Sequence, residues 1–198
     1  MSPSVTLLPE REVTEEGLEK TFATDLDGQF LITNLLLPAL AASGSARVVS
    51  VSSGGMYSAR IEPDDLQFEK RPYTGTAAYA SAKRGQVILT EMWAERFPRK
   101  ETIFHAMHPG WVKTQGVSDS LPTFNKLMGP FLRTPAQGAD TMVWLSAAEP
   151  PGRTSGGFWF DRSQTPTHLT EKTKETREDR TRLWNRLVEL TNSDVLAD

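Results

Sequence analysis

The chain has 198 residues, 38% of them hydrophobic and 24% charged, proportions that suit one ordinary globular domain rather than a disordered chain. Its 25 acidic and 22 basic side chains leave a net charge of −3, so no general attraction toward phosphate backbones or anionic lipid is built in, and nucleic acid is not an expected partner. With no cysteine it has neither a disulfide nor a thiolate nucleophile, and a reducing compartment suits it.

Met1 to Glu12 lacks a basic region followed by an apolar core, so no secretory signal is read and an intracellular setting is expected, the compartment unassigned. Thr14 can cap a helix whose first turn carries Glu15 and Glu16, and Leu18, Phe22, Leu26 and Phe30 then recur every fourth position along one face. That helix is expected to run toward Pro38. Its apolar end, Phe30 to Ala42, is interrupted by Thr33, Asn34 and Pro38 and falls short of the ~20 residues that span a bilayer, so no transmembrane segment is expected.

Val48-Val49-Ser50-Val51 is a β-branched run that ends in Ser52-Ser53-Gly54-Gly55, the pattern of a buried strand giving way to a loop. Ser58 to Thr76 has Pro63, Pro72 and Gly75 and no sustained periodicity, and reads as a long surface excursion. Ala77 to Phe97 returns to a helical pattern stopped by Pro98, and Thr102 to Met107 reads as a second strand ending at His108-Pro109-Gly110. Thr134-Pro135-Ala136-Gln137 is a capping box with proline at the first helical position, opening a helix that stops near Pro150. Phe158 to Phe160 is the expected third strand, and the charged tail, 170–198, a solvated terminal helix. Helices alternating with strands imply right-handed crossovers and a parallel sheet with helices on both faces.

In such a sheet, functional groups gather where strands yield to loops at their carboxyl ends, and there sit Ser53 and the Pro109-Gly110 turn. The intervening helix carries Tyr79 and Lys83, four apart and so on one face. Tyr57 and Tyr73 have Ile61 and Ala77 at that offset. A phenol of pKa ~10 is a poor acid-base group at neutral pH, and a nearby ammonium is expected to lower that value. Ser53 could then hold a carbonyl oxygen while Tyr79 gives or takes its proton, with hydride left to a cofactor. His105, His108 and His168 are too scattered for a metal motif, so no metal is assigned and each reads as structural. A Ser-His hydrolase is disfavoured because no G-x-S-x-G elbow surrounds Ser53.

Val51-Ser52-Ser53-Gly54-Gly55, Tyr79-Ala80-Ser81-Ala82-Lys83 and His108-Pro109-Gly110-Trp111-Val112-Lys113-Thr114, in that order, resemble the catalytic half of the short-chain dehydrogenase/reductases over about Leu8 to Phe160. Ser53-Gly54-Gly55-Met56, Met107 to Trp111 and Gln137 to Met142 are similar to one branch of that family. The resemblance implies an α/β fold, the C-terminal part of a doubly wound, Rossmann-like parallel sheet lacking its first strands. It implies that Ser53 orients a carbonyl, that Tyr79 is the acid-base, and that Lys83 also binds the nicotinamide ribose of NAD or NADP. Tyr79, Lys83, Pro109, Gly110, Val112 and Thr114 would line the cofactor.

Where the family usually carries Asn-x-x-Gly, this chain reads Asp25-Leu26-Asp27-Gly28. Asp25 either substitutes partly for the asparagine of a proton relay or distorts the site as a buried charge. The family's glycine-rich pyrophosphate turn and its Asn-Asn-Ala-Gly signature are not in the sequence, which reads as a partial, N-terminally truncated domain. Two functions follow: an oxidoreductase acting on a small carbonyl or alcohol, impaired by that loss, or a non-catalytic interaction or regulatory fragment. A strand edge left without its neighbour also predicts self-association.

Overall fold

The computed structural model of the chain describes residues 7–112 and 132–193. The first helical run, α1, comprises Lys20–Phe22, a π-helical stretch Ala23–Asp27 and Gly28–Ser43. It starts at Lys20 rather than at Thr14 because Gly17, at φ +80, turns the chain back so that Val13 bridges Glu19. Thr14 closes that turn, its hydroxyl accepting from Leu18 N–H. The cap is Glu19, whose two carboxylate oxygens accept from Thr21 and Phe22 N–H at 3.0 and 2.7 Å. The helix also passes through Pro38 and ends only where Gly44 takes a left-handed φ of +70.

Strand β1, Ala46–Val51, follows. The excursion after it is more than surface. Asp65 accepts from the N–H groups of Glu69, Lys70 and Arg71, folding the segment so that Ile61, Leu66 and Phe68 are buried. Helix α2, Gly75–Arg96, is capped by Thr74, and strand β2 spans Thr102–Met107 as expected. Helix α3, Pro135–Ala147, opens with the Thr134/Gln137 capping box read from the sequence. Strand β3, Gly157–Phe160, turns through Asp161 and Arg162, both at positive φ, into the short β4, Ser163–Gln164. Helix α4, Arg177–Thr191, completes the described chain.

The strand order is β1-β2-β3-β4, parallel except for the β3–β4 hairpin. β2 is buried along its whole length, with Ala46↔Thr102 to Val51↔Met107 in register on one side and His105↔Gly157 to Met107↔Trp159 on the other. Side-chain alternation divides the layers. Val48 and Phe104 face the large core built with α1, α2 and α4, whereas Val49, Met107 and Trp159 face α3 through Leu145. This is the doubly wound arrangement, and among the described residues the outer edge of β1 has no strand beside it.

The tail corrects the solvated reading. After a short 3₁₀ turn at Glu171–Thr173 its α-helix begins only at Arg177, and Leu183, Trp184 and Leu187 are buried against Phe30 and Trp93. Their stripe is narrow, but each such side chain removed from water is worth about 1.5–3 kcal/mol. Arg180 fastens the same helix to Glu91 and Glu95 at 2.7 Å.

Candidate active site

β1 ends at Val51, and Ser52 ties that end to both β2 and α2: its N–H donates to Met107 O and its hydroxyl to Lys83 O at 2.8 Å. Ser53 is thereby left at the mouth, its hydroxyl capping the 3₁₀ turn Gly54–Ser58. A side chain at Gly55 would meet Ser53 Oγ at 3.5 Å and Tyr79 Cε1 at 4.0 Å, so serine and phenol flank one glycine turn.

One helical turn beyond Tyr79, the Lys83 ammonium lies 5.4 Å from the phenol ring centroid. It donates to Val51 O at 3.2 Å and to Asp25 Oδ1 at 3.3 Å. The ion pair is buried, with side-chain exposures of 7% for Lys83 and 14% for Asp25. Asp25 belongs to the π-helical stretch, where Gly28 N–H reaches Ala23 O. The main-chain carbonyl of Asp25 accepts from Gln86 Nε2 at 2.6 Å. Gly85 makes this approach possible: a β-carbon there would lie 2.7 Å from both terminal methyls of Leu26. Asp27, two residues on, is buried with no hydrogen bond to Oδ1, and burial raises its carboxyl to about 6.

The phenol departs from the sequence expectation. Burial raises Tyr79 above its ordinary value, the Ser53 hydrogen bond pulls it down, and the Asp25 charge raises it again. Lys83 is near enough to act, yet its charge is shared with a carboxylate.

His108 was read as structural, and the geometry gives it more. Phe104 and Ala106 face α2, so His108, continuing their alternation, projects from the end of β2 toward the same side. Its ring lies flat on Phe160 at 4.2 Å and 5°, and Nδ1 faces the α-carbon of Gly54, 3.7 Å from where a β-carbon would stand. Burial and Arg133 lower its pKa, which favours the neutral ring with one donor and one acceptor. The period-2 pattern of β2 was the available signal.

Pro109 and Gly110 begin the adjoining turn, where Gly110, at φ +74, lets Arg133 pack 2.8 Å from its missing β-carbon. Val112 spends its side chain on packing against Gly138 of α3 and bridges Arg133. Thr114 lies outside the described residues. Thus Ser53, Tyr79, Lys83 and Asp25 are brought together with His108 beside them, while the side chain of Val112 turns away into the α3 interface. A cavity of about 360 Å³ lies between Arg60, Arg71 and α2. Ser53, Tyr79 and Lys83 are not among its lining residues, and of the α2 residues that are, Ala77, Ala80 and Ser81 point roughly 100–200° around the axis from Tyr79, with Thr76 nearer, so it is a different place.

Three polar groups converging at strand ends suit a carbonyl or hydroxyl ligand and the ribose end of a dinucleotide. For the pyrophosphate the fit fails: no glycine-rich strand-turn-helix precedes β1 among the described residues.

No protein-family model matches the chain. It is 47% identical over 166 residues to dehydrogenase/reductase SDR family member 12 of Bos taurus, covering 82% of this chain and 51% of that protein. The Homo sapiens protein of that name is 45% identical over 168 residues, with the same coverages. Retinol dehydrogenase 12 of Homo sapiens is 35% identical over 179 residues, 89% of this chain and 55% of that one. The chain therefore spans about half the length of the curated relatives it matches. Among solved structures, an uncharacterized protein from Mycobacterium paratuberculosis superposes with a TM-score of 0.71 at 24% identity, over 96% of this chain and 65% of that one. A short chain dehydrogenase from Salmonella enterica gives 0.54 at 20% identity, over 69% and 49%. Both likenesses concern the fold.

Proposed function

We propose that this chain, a relative of the short-chain dehydrogenase/reductases, carries the proton-handling part of an oxidoreductase site for a small carbonyl or alcohol. The observation that supports this most is the convergence of Ser53, Tyr79 and Lys83 at the carboxyl ends of β1 and β2. A nicotinamide cofactor, NAD or NADP, supplies hydride when bound. Ser53 donates its hydroxyl hydrogen to the substrate oxygen and fixes it beside the phenol. Tyr79 gives its proton to that oxygen in reduction and recovers it in oxidation, and burial keeps the proton on the phenol until the oxygen takes it. Lys83, with one of its three N–H donors not committed to Asp25 or Val51, would hold a ribose hydroxyl of that cofactor. Pro109 and Gly110 would line the nicotinamide of that cofactor.

The residues present hold one end of a dinucleotide, so this chain is expected to bind NADH and NADPH more weakly than micromolar, which calorimetry measures. The activity test is oxidation of reduced cofactor with a panel of aldehydes and ketones. Turnover that Tyr79→Phe abolishes supports the reading; equal turnover in that variant removes Tyr79 from the mechanism.

A second reading, a non-catalytic chain that associates, is favoured by one observation. Ile32, Leu35 and Leu36 form an exposed stripe on α1 at 57, 67 and 49%, and among the described residues the outer edge of β1 is unpaired. Size-exclusion chromatography tests it: a dimer dispersed by Leu35→Glu supports it, and a monomer at all concentrations refutes it. Among the described residues no helix is long and apolar enough to cross a membrane.

A further inference from the structure

We infer that Asp25 is a positioning residue: it anchors the Lys83 ammonium at the end of β1 and offsets its charge at the Tyr79 ring. The inference deepens the proposed proton-handling role and rests on that reading for its functional meaning.

The geometry is that of a clamp. Lys83 Nζ has three donors, of which one goes to Val51 O at 3.2 Å and one to Asp25 Oδ1 at 3.3 Å. Neither partner is free to wander. Val51 is fixed by strand pairing with Met107, and Asp25 sits in a π-helical stretch held by Gln86 on its carbonyl and by Leu26 seated over Gly85. The π-helical widening matters because it places the carboxylate where an ordinary turn would not. An unpaired ammonium 5.4 Å from the ring would favour the phenolate, whereas an ammonium paired with a carboxylate presents a dipole whose field falls off faster.

Among the described residues the groups facing the phenol are few. Lys83 comes from its own helix, Asp25 from α1, the neutral Ser53 from the end of β1, and the His108 imidazole lies across Gly54 at the end of β2. Asp25 is the acidic group among them. Burial raises the Tyr79 value, and Asp25 adds to that rise. A site built on the tyrosine-lysine pair alone would place its phenol lower; here the acid keeps the proton on oxygen and leaves the work of removing it to the substrate.

The test needs no turnover. Tyrosines labelled at Cζ are titrated by NMR in the full chain, with Tyr79 assigned by the loss of its signal in Tyr79→Phe. In Asp25→Asn the amide oxygen can still accept from Lys83, so the side chain stays in place while the charge is gone. The Tyr79 midpoint is expected to fall, since the carboxylate charge that adds to its rise is gone. Asp25→Glu should restore the high midpoint. Lys83→Met should raise the midpoint, since it leaves the Asp25 charge unopposed at the ring, and adding Asp25→Asn in that background should bring it down again. An Asp25→Asn midpoint equal to wild type, or a Lys83→Met midpoint no higher than wild type, overturns the inference. If Asp25→Asn does not fold, Asp25→Glu and Lys83→Met still decide: unequal midpoints for wild type and Asp25→Glu, or no rise on Lys83→Met alone, also overturn it. Turnover measured in parallel separates the two claims, since shifted titrations without activity in any variant retain the clamp and remove the oxidoreductase reading.

Discussion

The two ends of α2 are built from different materials. From Thr76 to Gln86 the buried residues are Ala78, Ala80, Ser81, Ala82, Lys83, Arg84, Gly85 and Gln86: small, or polar and hydrogen-bonded. From Val87 to Trp93 they are Val87, Ile88, Leu89, Thr90, Met92 and Trp93, and Trp93 stacks between Phe30 and Phe104, each 6.0 Å away, with Trp184 edge-on. The first half admits close approach and charge, the second fills volume. One rigid rod thus transmits the stability made at its far end to a polar site that contributes little of its own.

Deleting the far end should be the most damaging change. Trp93→Ala empties the aromatic cluster and leaves Asn34 Oδ1 without its 3.0 Å donor, so urea unfolding should show a loss of about 3–5 kcal/mol. If the Tyr79 titration is unchanged in whatever fraction stays folded, the two halves are separable. Gly85→Ala strikes the boundary. Its methyl would meet Leu26 at 2.7 Å, which should cost about 1–3 kcal/mol and push the π-helical stretch away from Lys83. Loss of the Asp25 effect on Tyr79 in this variant would confirm the route, and an intact effect with an undisturbed midpoint would break it.

Asp27 sharpens the contrast from the polar side. Its value rises from 3.8 to about 6 on folding, so the folded state holds the proton more tightly. The stability this brings is present below the unfolded value and is lost as pH climbs through about 6. Asp27→Asn should therefore remove the decline between those values and stabilise the chain at neutral pH, on the order of 1–2 kcal/mol after discounting for partial solvent screening. Urea midpoints across that range measure it. The smallest change is Thr74→Ala, which deprives Ala77 N–H of its 3.2 Å acceptor at the head of α2. It should cost about 1 kcal/mol, and any larger loss would mean that the polar half bears more of the stability than the packing suggests.

What could be read in the sequence follows the reach of the forces involved. β2 and the Thr134 cap depend on neighbours in the chain, and both stand where expected. The start of α1 was displaced because two short-range signals compete: Thr14 has the better capping chemistry, but Gly17 reverses the backbone before a helix can form. The burial of α4 was hidden because its narrow stripe gains value only beside Phe30 and Trp93, far away in sequence. At the site, Tyr79, Lys83 and Ser53 were legible as spacing, and their meeting at one end of the sheet followed from topology. The direction in which the phenol shifts was not, since it depends on a carboxylate delivered by a different helix and on how deeply the ring is buried.

The sheet's pairing pattern also governs how the chain must assemble. Each parallel contact, β1 with β2 and β2 with β3, joins strands separated by a complete helix, and the β3–β4 hairpin is the local exception. Long loops must close before any parallel pair is rewarded, a topology that slows folding relative to helical chains. If helices form ahead of the parallel pairs, Phe104, Ala106, Phe158 and Trp159, buried in the folded chain, are exposed during that search. Refolding followed by tryptophan fluorescence should lag behind helix recovery seen by circular dichroism. The delay should lengthen the window in which two chains can exchange strands, making yield fall with protein concentration.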